Sequence, residues 1–310
     1  MADIPVYLIA GFLDGGKTDF INGILEDGFA REDKTLLICC EEGDTEYDPE
    51  LLKKTNTILV NVESMDEISP ERLTELELLH NPERVLMEWN GMWNQDELRL
   101  PKDWEVYQQI TIIDGSTFDL YVKNMKPLLG AMVRNSELII CNRCDDVEDL
   151  EGYRRTLLAM NNQAEIVFED AEGEISEISE ADLPYDLSAD VTVIAPEDFG
   201  IWYIDCMDKP DRYRGKVVEF TGMVMKSNKF PKNYFVPGRM AMTCCADDTA
   251  FIGFLCKSAY VDRIKSKQWL TVTAKAHIEK RAEYSGQEGL VLQSTNIKSA
   301  EKPEEELVYF

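Results

Sequence analysis

Short, mostly apolar runs alternate with amphipathic stretches through the first half of the chain. Residues 6–10, 35–40, 57–62, 84–88, 109–114 and 137–141 are too short for helices and are bounded by polar clusters, so they predict strands. Residues 165–168 predict a last one. Residues 18–26, 70–79, 117–133 and 147–160 read as helices. Alternation of this kind predicts a mostly parallel sheet covered on both faces. Residues 169–190 are acidic and poor in large apolar side chains, the composition of a linker. Beyond it the pattern changes. A helix over 195–208 precedes five runs rich in Val, Thr and aromatics, at 216–226, 234–243, 250–256, 269–278 and 289–297. Gly, Pro and Lys clusters separate them, which predicts a small β-barrel of the OB type. The expected organisation is an α/β domain over 1–175, an acidic linker over 176–190 and an OB-like barrel over 191–310.

Charge supports two domains. Of 32 basic and 59 acidic residues, 17 and 18 lie in residues 186–310, leaving 15 and 41 in residues 1–185. The net charge is therefore −26 in the first part and −1 in the second. The acidic part repels polynucleotide phosphates, although backbone amides, one Lys and a divalent cation can offset that field for a small nucleotide. No apolar run reaches the roughly 20 residues of a membrane helix. The start has no basic region and no cleavage pattern, so a cytoplasmic protein without membrane insertion is expected. Eight cysteines in such a chain are expected as thiols or metal ligands, and only two His rule out a His-rich metal site.

Four segments carry candidate chemistry. Gly11-Phe-Leu-Asp14-Gly15-Gly16-Lys17-Thr18 follows a predicted strand and opens a predicted helix, as a P-loop must. Glycines let amides converge on phosphate, Lys17 reaches the β- and γ-phosphates, and the Thr18 hydroxyl ligates Mg²⁺. Asp14, within the loop, and Asp19, just after it, are candidate nucleotide-contacting residues with Gly11, Gly15 and Gly16. Glu88 ends an apolar strand, where it can support Mg²⁺ or orient a water, with Gly91 near the γ-phosphate. Lys17 and Glu88 are thus the candidate catalytic residues. The loop from Cys40 to Asp48 suits a switch, with Glu42 and Asp48 as candidate Mg²⁺ carboxylates. Asn142-Arg143-Cys144-Asp145 follows another strand. There Asp145 can accept two hydrogen bonds from guanine N1 and N2, which adenine cannot supply. Asn142 would tie this loop to the base and the P-loop. The expected ligands are GTP or GDP with Mg²⁺.

In this order the four segments resemble the CobW/HypB/UreG-type GTPases, P-loop proteins linked to metal-cofactor assembly, and most of all the CobW branch. The likeness covers about residues 4–175. Glu41 through Asp48 resembles the branch's Asn-Glu-Phe-Gly-Glu…Asp segment, Glu88-Trp-Asn-Gly91 its Glu-Thr/Ser-x-Gly, and Asn142-Arg-Cys-Asp145 its Asn-Lys-x-Asp. Three departures stand out. No cysteine lies between Cys40 and Glu88, where the branch carries Gly-Cys-x-Cys-Cys; Arg143 replaces a Lys whose stem packs over the base; and Trp89-Asn90 replaces a small polar pair. The resemblance implies a slow Mg²⁺-dependent GTPase serving as a metallochaperone or as an assembly or transport accessory. A client metalloprotein or permease would be its partner, and homo-oligomers are compatible with it. The alternative is a non-enzymatic metal-binding or scaffold protein that keeps the nucleotide fold.

The second half resembles the soluble C-terminal part of YcgQ-like proteins, which accompany predicted permeases. The likeness is carried by Tyr213-Arg-Gly-Lys216, the segment from Gly238 to Asp247, and Trp269-Leu-Thr-Val. Cys244, Cys245 and Asp247 are a candidate Zn²⁺ set, with a buried thiol and an acidic turn as the competing reading. Cys39-Cys40 reads better as buried packing, and Cys141-x-x-Cys144 overlaps the base-reading loop. Lys226, Lys229, Lys232 and Arg239 with Phe230, Tyr234 and Phe235 form a candidate basic and aromatic patch. The charge balance makes nucleic acid the less expected partner for it.

Overall fold

A computed structural model describes residues 4–29, 33–41, 43–175, 183–242, 249–284, 286 and 288–309. The chain forms two compact units, Met1–Tyr153 with Gln163–Ser179, and Arg154–Asn162 with Glu180–Phe310.

The first unit is built on one sheet. Its strands are β1 (Ile4–Ala10), β2 (Thr35–Cys39), β3 (Thr57–Asn61), β4 (Arg84–Glu88), β5 (Trp104–Asp114), β6 (Leu138–Asn142), β7 (Glu165–Asp170) and β8 (Gly173–Glu174). They lie in the order β3-β2-β4-β1-β5-β6-β7-β8, and every adjacent pair is parallel except β7 with β8. The apolar runs are unbroken because both faces are covered. Along β1, Val6 and Leu8 enter one core with Leu73 and Leu76, while Ile9 enters the opposite core with Ile21 and Leu25. The helices of this part of the chain are α1 (Lys17–Glu26), α2 (Pro49–Lys54), α3 (Pro70–His80), α4 (Phe118–Asn124), α5 (Lys126–Val133) and α6 (Leu150–Met160). The single helix expected over 117–133 is two. Met125 breaks it, and Pro127, in the first turn of α5, has no amide to carry the ladder across.

The segment expected as a linker is partly structured. Residues 169–174 complete the β7–β8 hairpin. Tyr185 is buried in the core of the second unit, its hydroxyl 2.7 Å from that of Tyr213.

In the second unit α7 (Phe199–Asp208) packs Phe199, Trp202 and Cys206 into a core with Phe220, Phe235 and Phe254. The strands are β9 (Thr192–Val193), β10 (Val217–Met225), β11 (Tyr234–Met242), β12 (Thr249–Gly253), β13 (Cys256–Lys257), β14 (Trp269–Lys280), β15 (Glu288–Ser299) and β16 (Leu307–Tyr309). Hydrogen-bonded pairing runs from β10 to β14, β15, β13 and β11 and returns to β10. Only the β13–β15 rung of that circuit is parallel.

Arg239 does not belong to a surface patch. It is 1% exposed and donates to the carbonyls of Pro196, Glu305 and Glu306, while its guanidinium lies over Phe199 and Trp269. Phe235 is fully buried, so the candidate patch loses two members to the core.

Candidate functional site

The P-loop turns from the end of β1, the central strand, into α1. Gly16 sits at φ +99° where α1 begins and has no side chain to cap it, so the first-turn amides are free for an anion. That left-handed φ is one that side chains rarely adopt, and a Cβ on Gly16 would also stand 2.4 Å from Asn142 Nδ2, which would have to move. Lys17 folds back over the loop. Its Nζ donates to the carbonyls of Gly11 at 3.0 Å and Phe12 at 2.8 Å, and to Glu41 Oε2 at 2.6 Å. Both ends of that ion pair are buried. Gly91 follows β4 so closely that a Cβ on it would lie 2.4 Å from the Gly11 carbonyl. The loop after β4 therefore rests directly on the P-loop.

Glu88 ends β4 beside Ile9 of β1 and Cys39 of β2. Its carboxylate is 3% exposed. Oε1 accepts the Thr18 hydroxyl at 2.9 Å. Oε2 accepts the Tyr47 hydroxyl and, at 3.6 Å, the Cys39 thiol. Burial first and the Glu88 charge second push the Tyr47 phenol upward, so it remains a proton donor. Thr18 donates to Glu88 and also lies within hydrogen-bonding reach of the Tyr47 hydroxyl, and it lines the cavity. A cavity of about 270 Å³ opens here, lined by Gly16, Lys17, Thr18, Asp19, Glu41, Glu88 and Arg143 among others.

The described part of the switch loop meets the P-loop and Glu88 through side chains other than the candidate Mg²⁺ carboxylates. Asp48 uses its carboxylate to cap α2, accepting the Glu50 amide at 2.9 Å. Among the described residues of that loop, Glu41 reaches Lys17 and Tyr47 reaches Glu88. Glu42 lies outside the described residues. Asp14, at φ +56°, accepts the Asp44 amide at 3.2 Å, which ties the P-loop tip to the switch loop.

The loop after β6 meets the P-loop from the other side. Asn142 Nδ2 donates to the Gly15 carbonyl at 2.9 Å, while its buried Oδ1 has no hydrogen-bond partner among the described residues. Arg143 takes φ +52° and donates to the Asp14 carbonyl at 2.8 Å and to Asp114 Oδ2 at 2.6 Å. Asp145 is exposed and accepts the Ala171 amide at 3.0 Å on one oxygen. Trp89 is fully buried in the core against Trp93, and Asn90 bonds the Cys40 carbonyl, so neither side chain of that pair faces the cavity.

Cys244, Cys245 and Asp247 lie outside the described residues. Among the described residues no group of three or more His, Cys, Asp or Glu is arranged to hold a metal ion. Cys141 and Cys144 are free and buried, and Cys144 donates to the Cys141 carbonyl at 3.2 Å. Burial pushes Cys144 up to about 11 and both Cys39 and Cys256 up to about 12. The six described cysteines should resist iodoacetamide at pH 7.5 and react once guanidinium unfolds the chain. Peptide mapping checks this, and native-state labelling of Cys144 would refute it. Unfolded thiols ionise near 9 while the folded ones keep their protons. Stability from this source is thus complete below that pH and is lost as pH rises toward the folded values.

Within the described residues, no helix is long and apolar enough to cross a membrane. A search of curated proteins returns no match. Among solved structures, HypB from Archaeoglobus fulgidus is 17% identical with a TM-score of 0.41, covering 55% of this chain and 82% of that one. The Zn(II)-bound YjiA GTPase of E. coli is 14% identical with a TM-score of 0.42, covering 88% and 95%. HypB from Helicobacter pylori, solved in complex with nickel, is 14% identical with a TM-score of 0.37, covering 55% and 80%. The DUF1980 C-terminal domain model matches residues 172–310. The nucleotide-binding domain model of CobW/HypB/UreG matches residues 5–168, more than half of the chain, which therefore belongs to that P-loop family.

Proposed function

We propose that this protein is a Mg²⁺-dependent guanine-nucleotide switch that hydrolyses GTP slowly and serves metal-cofactor assembly or transport. The carrying observation is the convergence of Lys17, Thr18, Glu88 and Asn142 on one glycine turn, from the ends of β1, β4 and β6. Lys17 would exchange Glu41 for the β- and γ-phosphates. First-turn amides of α1 would take the remaining phosphate oxygens. The donor set suits Mg²⁺, since that ion needs only one or two protein oxygens and completes its shell with phosphate and water. Thr18 would hold it directly and Glu88 through water. When bound, the ion neutralises charge between the β- and γ-phosphates. The assembly role rests on family membership.

The second unit reads as an OB-type barrel. The closed circuit of five strands and its single parallel rung support that reading. A second functional reading, a nucleotide-binding platform without turnover, draws on the burial of Trp89 and the bond of Asn90 to the Cys40 carbonyl, which leave neither of them at the cavity that Glu88 lines.

The test uses the full chain stripped of nucleotide. A fluorescent GTP analogue should bind in Mg²⁺ and be displaced by GTP but not by ATP. Phosphate release should run on the order of 10⁻⁴ to 10⁻² s⁻¹. Tight binding with no release would select the platform reading. No binding of either nucleotide would end both.

A further inference from the structure

Glu88 has two oxygens and little access to water. One accepts Thr18, and the other accepts Tyr47 and, more weakly, the Cys39 sulfur. Tyr47 is therefore the only strong donor on Oε2 among the described residues. Its ring is partly buried against the core that holds Ile21, Leu51 and Leu52. Asp48, the next residue, is fixed as the cap of α2. The phenol thus projects from an anchored end of the switch loop, and it helps wall a second cavity of about 340 Å³ with Thr18, Cys39, Glu41 and Asn61.

We propose that Tyr47 is a positioning residue: by holding Glu88 it sets the Thr18 hydroxyl for Mg²⁺ and links the switch loop to the metal. This rests on the Mg²⁺–nucleotide reading above. The chain of contacts is continuous, from Tyr47 to Glu88 Oε2, through the carboxylate to Oε1, and on to Thr18. Without the phenol, Oε2 keeps only a sulfur donor at 3.6 Å. The carboxylate can then rotate, and the Thr18 proton follows it. Lys17 and the P-loop amides do not touch Tyr47 through any of these bonds. Metal-free nucleotide binding, which depends on them, should survive its loss.

The experiment compares wild type with Tyr47→Phe as full chains, using a fluorescent GTP analogue in EDTA and across a Mg²⁺ titration. In EDTA the two affinities should agree within about twofold, inside the effect of one neutral hydrogen bond. The Mg²⁺ concentration that half-saturates the affinity gain should rise about tenfold in the variant, as expected for losing a hydrogen bond to a charged group. Melting in EDTA checks the fold, and Tyr47→Met, which also lacks the hydroxyl, replaces the variant if it does not fold. An unchanged Mg²⁺ dependence overturns the proposal, as does a parallel fall in EDTA affinity and melting temperature with no shift along the Mg²⁺ axis. A wild type that binds no GTP under either condition overturns the nucleotide reading and this inference together. Mg²⁺-dependent wild-type binding with an unaltered variant overturns the inference alone.

Discussion

Lys17→Ala should abolish measurable GTP binding, weakening it on the order of 100-fold or more. Truncating one member of a buried charged pair costs about 2–5 kcal/mol, and each 1.4 kcal/mol is tenfold in affinity. The structure adds a complication for this variant. Lys17 is the partner of Glu41, and both side chains are less than a tenth exposed. Removing the Lys leaves a buried carboxylate without its cation, a loss of about 3–5 kcal/mol in such pairs. A lower melting temperature would then accompany the loss of binding and could be taken for its cause. The double variant Lys17→Ala, Glu41→Gln separates the two effects. Replacing the carboxylate by an amide removes the unpaired charge, so melting should recover most of the way while GTP binding stays absent. Fluorescence titration beside a thermal melt checks both. Recovery of binding together with melting would show that Lys17 acts on stability, and would withdraw it from the phosphate site.

The sequence made the strands of the first unit legible because they are buried on both faces. Runs such as 35–40 and 84–88 have no polar interruption, and β2 and β4 occupy them almost to the residue. The P-loop was legible for a different reason: its spacing is a backbone requirement, and Gly16 takes a left-handed φ that favours glycine. The switch loop was harder. Its carboxylates are alike in composition, and only local conformation decides between them. The Asp48-Pro49-Glu50 order is a helix-start signal, which could have assigned Asp48 to α2. But α2 has only six residues, too few for periodicity to announce it. Tyr47 carried no signal at all, because its role depends on the approach of β4 in three dimensions. Arg239 was readable in hindsight. Strand alternation places it on the face of Phe235 and Ala241, both buried. Its charge suggested a surface, and the backbone carbonyls that satisfy it come from residues 196, 305 and 306.

Asp145→Asn should change which base is accepted without dismantling the loop. On the proposed reading the Asp145 carboxylate would accept from guanine N1 and N2, donors that adenine lacks. Because Asp145 is exposed, water can satisfy it when the base does not, and the discrimination is that of a charged hydrogen bond, about 10- to 100-fold. GTP should therefore exceed ATP by a margin of that order. The geometry explains why the substitution is conservative. One Asp145 oxygen already accepts the Ala171 amide at 3.0 Å, which fixes the side chain against the β7–β8 hairpin. An Asn can keep that bond with its carbonyl oxygen. Its amide nitrogen then stands where the second carboxylate oxygen was, and donates where the wild type accepts. Xanthine carries an exocyclic oxygen in place of the guanine amine, so it can accept that new donor. Binding of XTP should rise as GTP binding falls, with melting temperature nearly unchanged because Asp145 is exposed. Competition titrations of GTP, XTP and ATP against one fluorescent analogue measure the exchange. If GTP and ATP compete equally in the wild type, Asp145 is not the base reader. If the variant loses GTP without gaining XTP, the residue supports the loop through Ala171 alone.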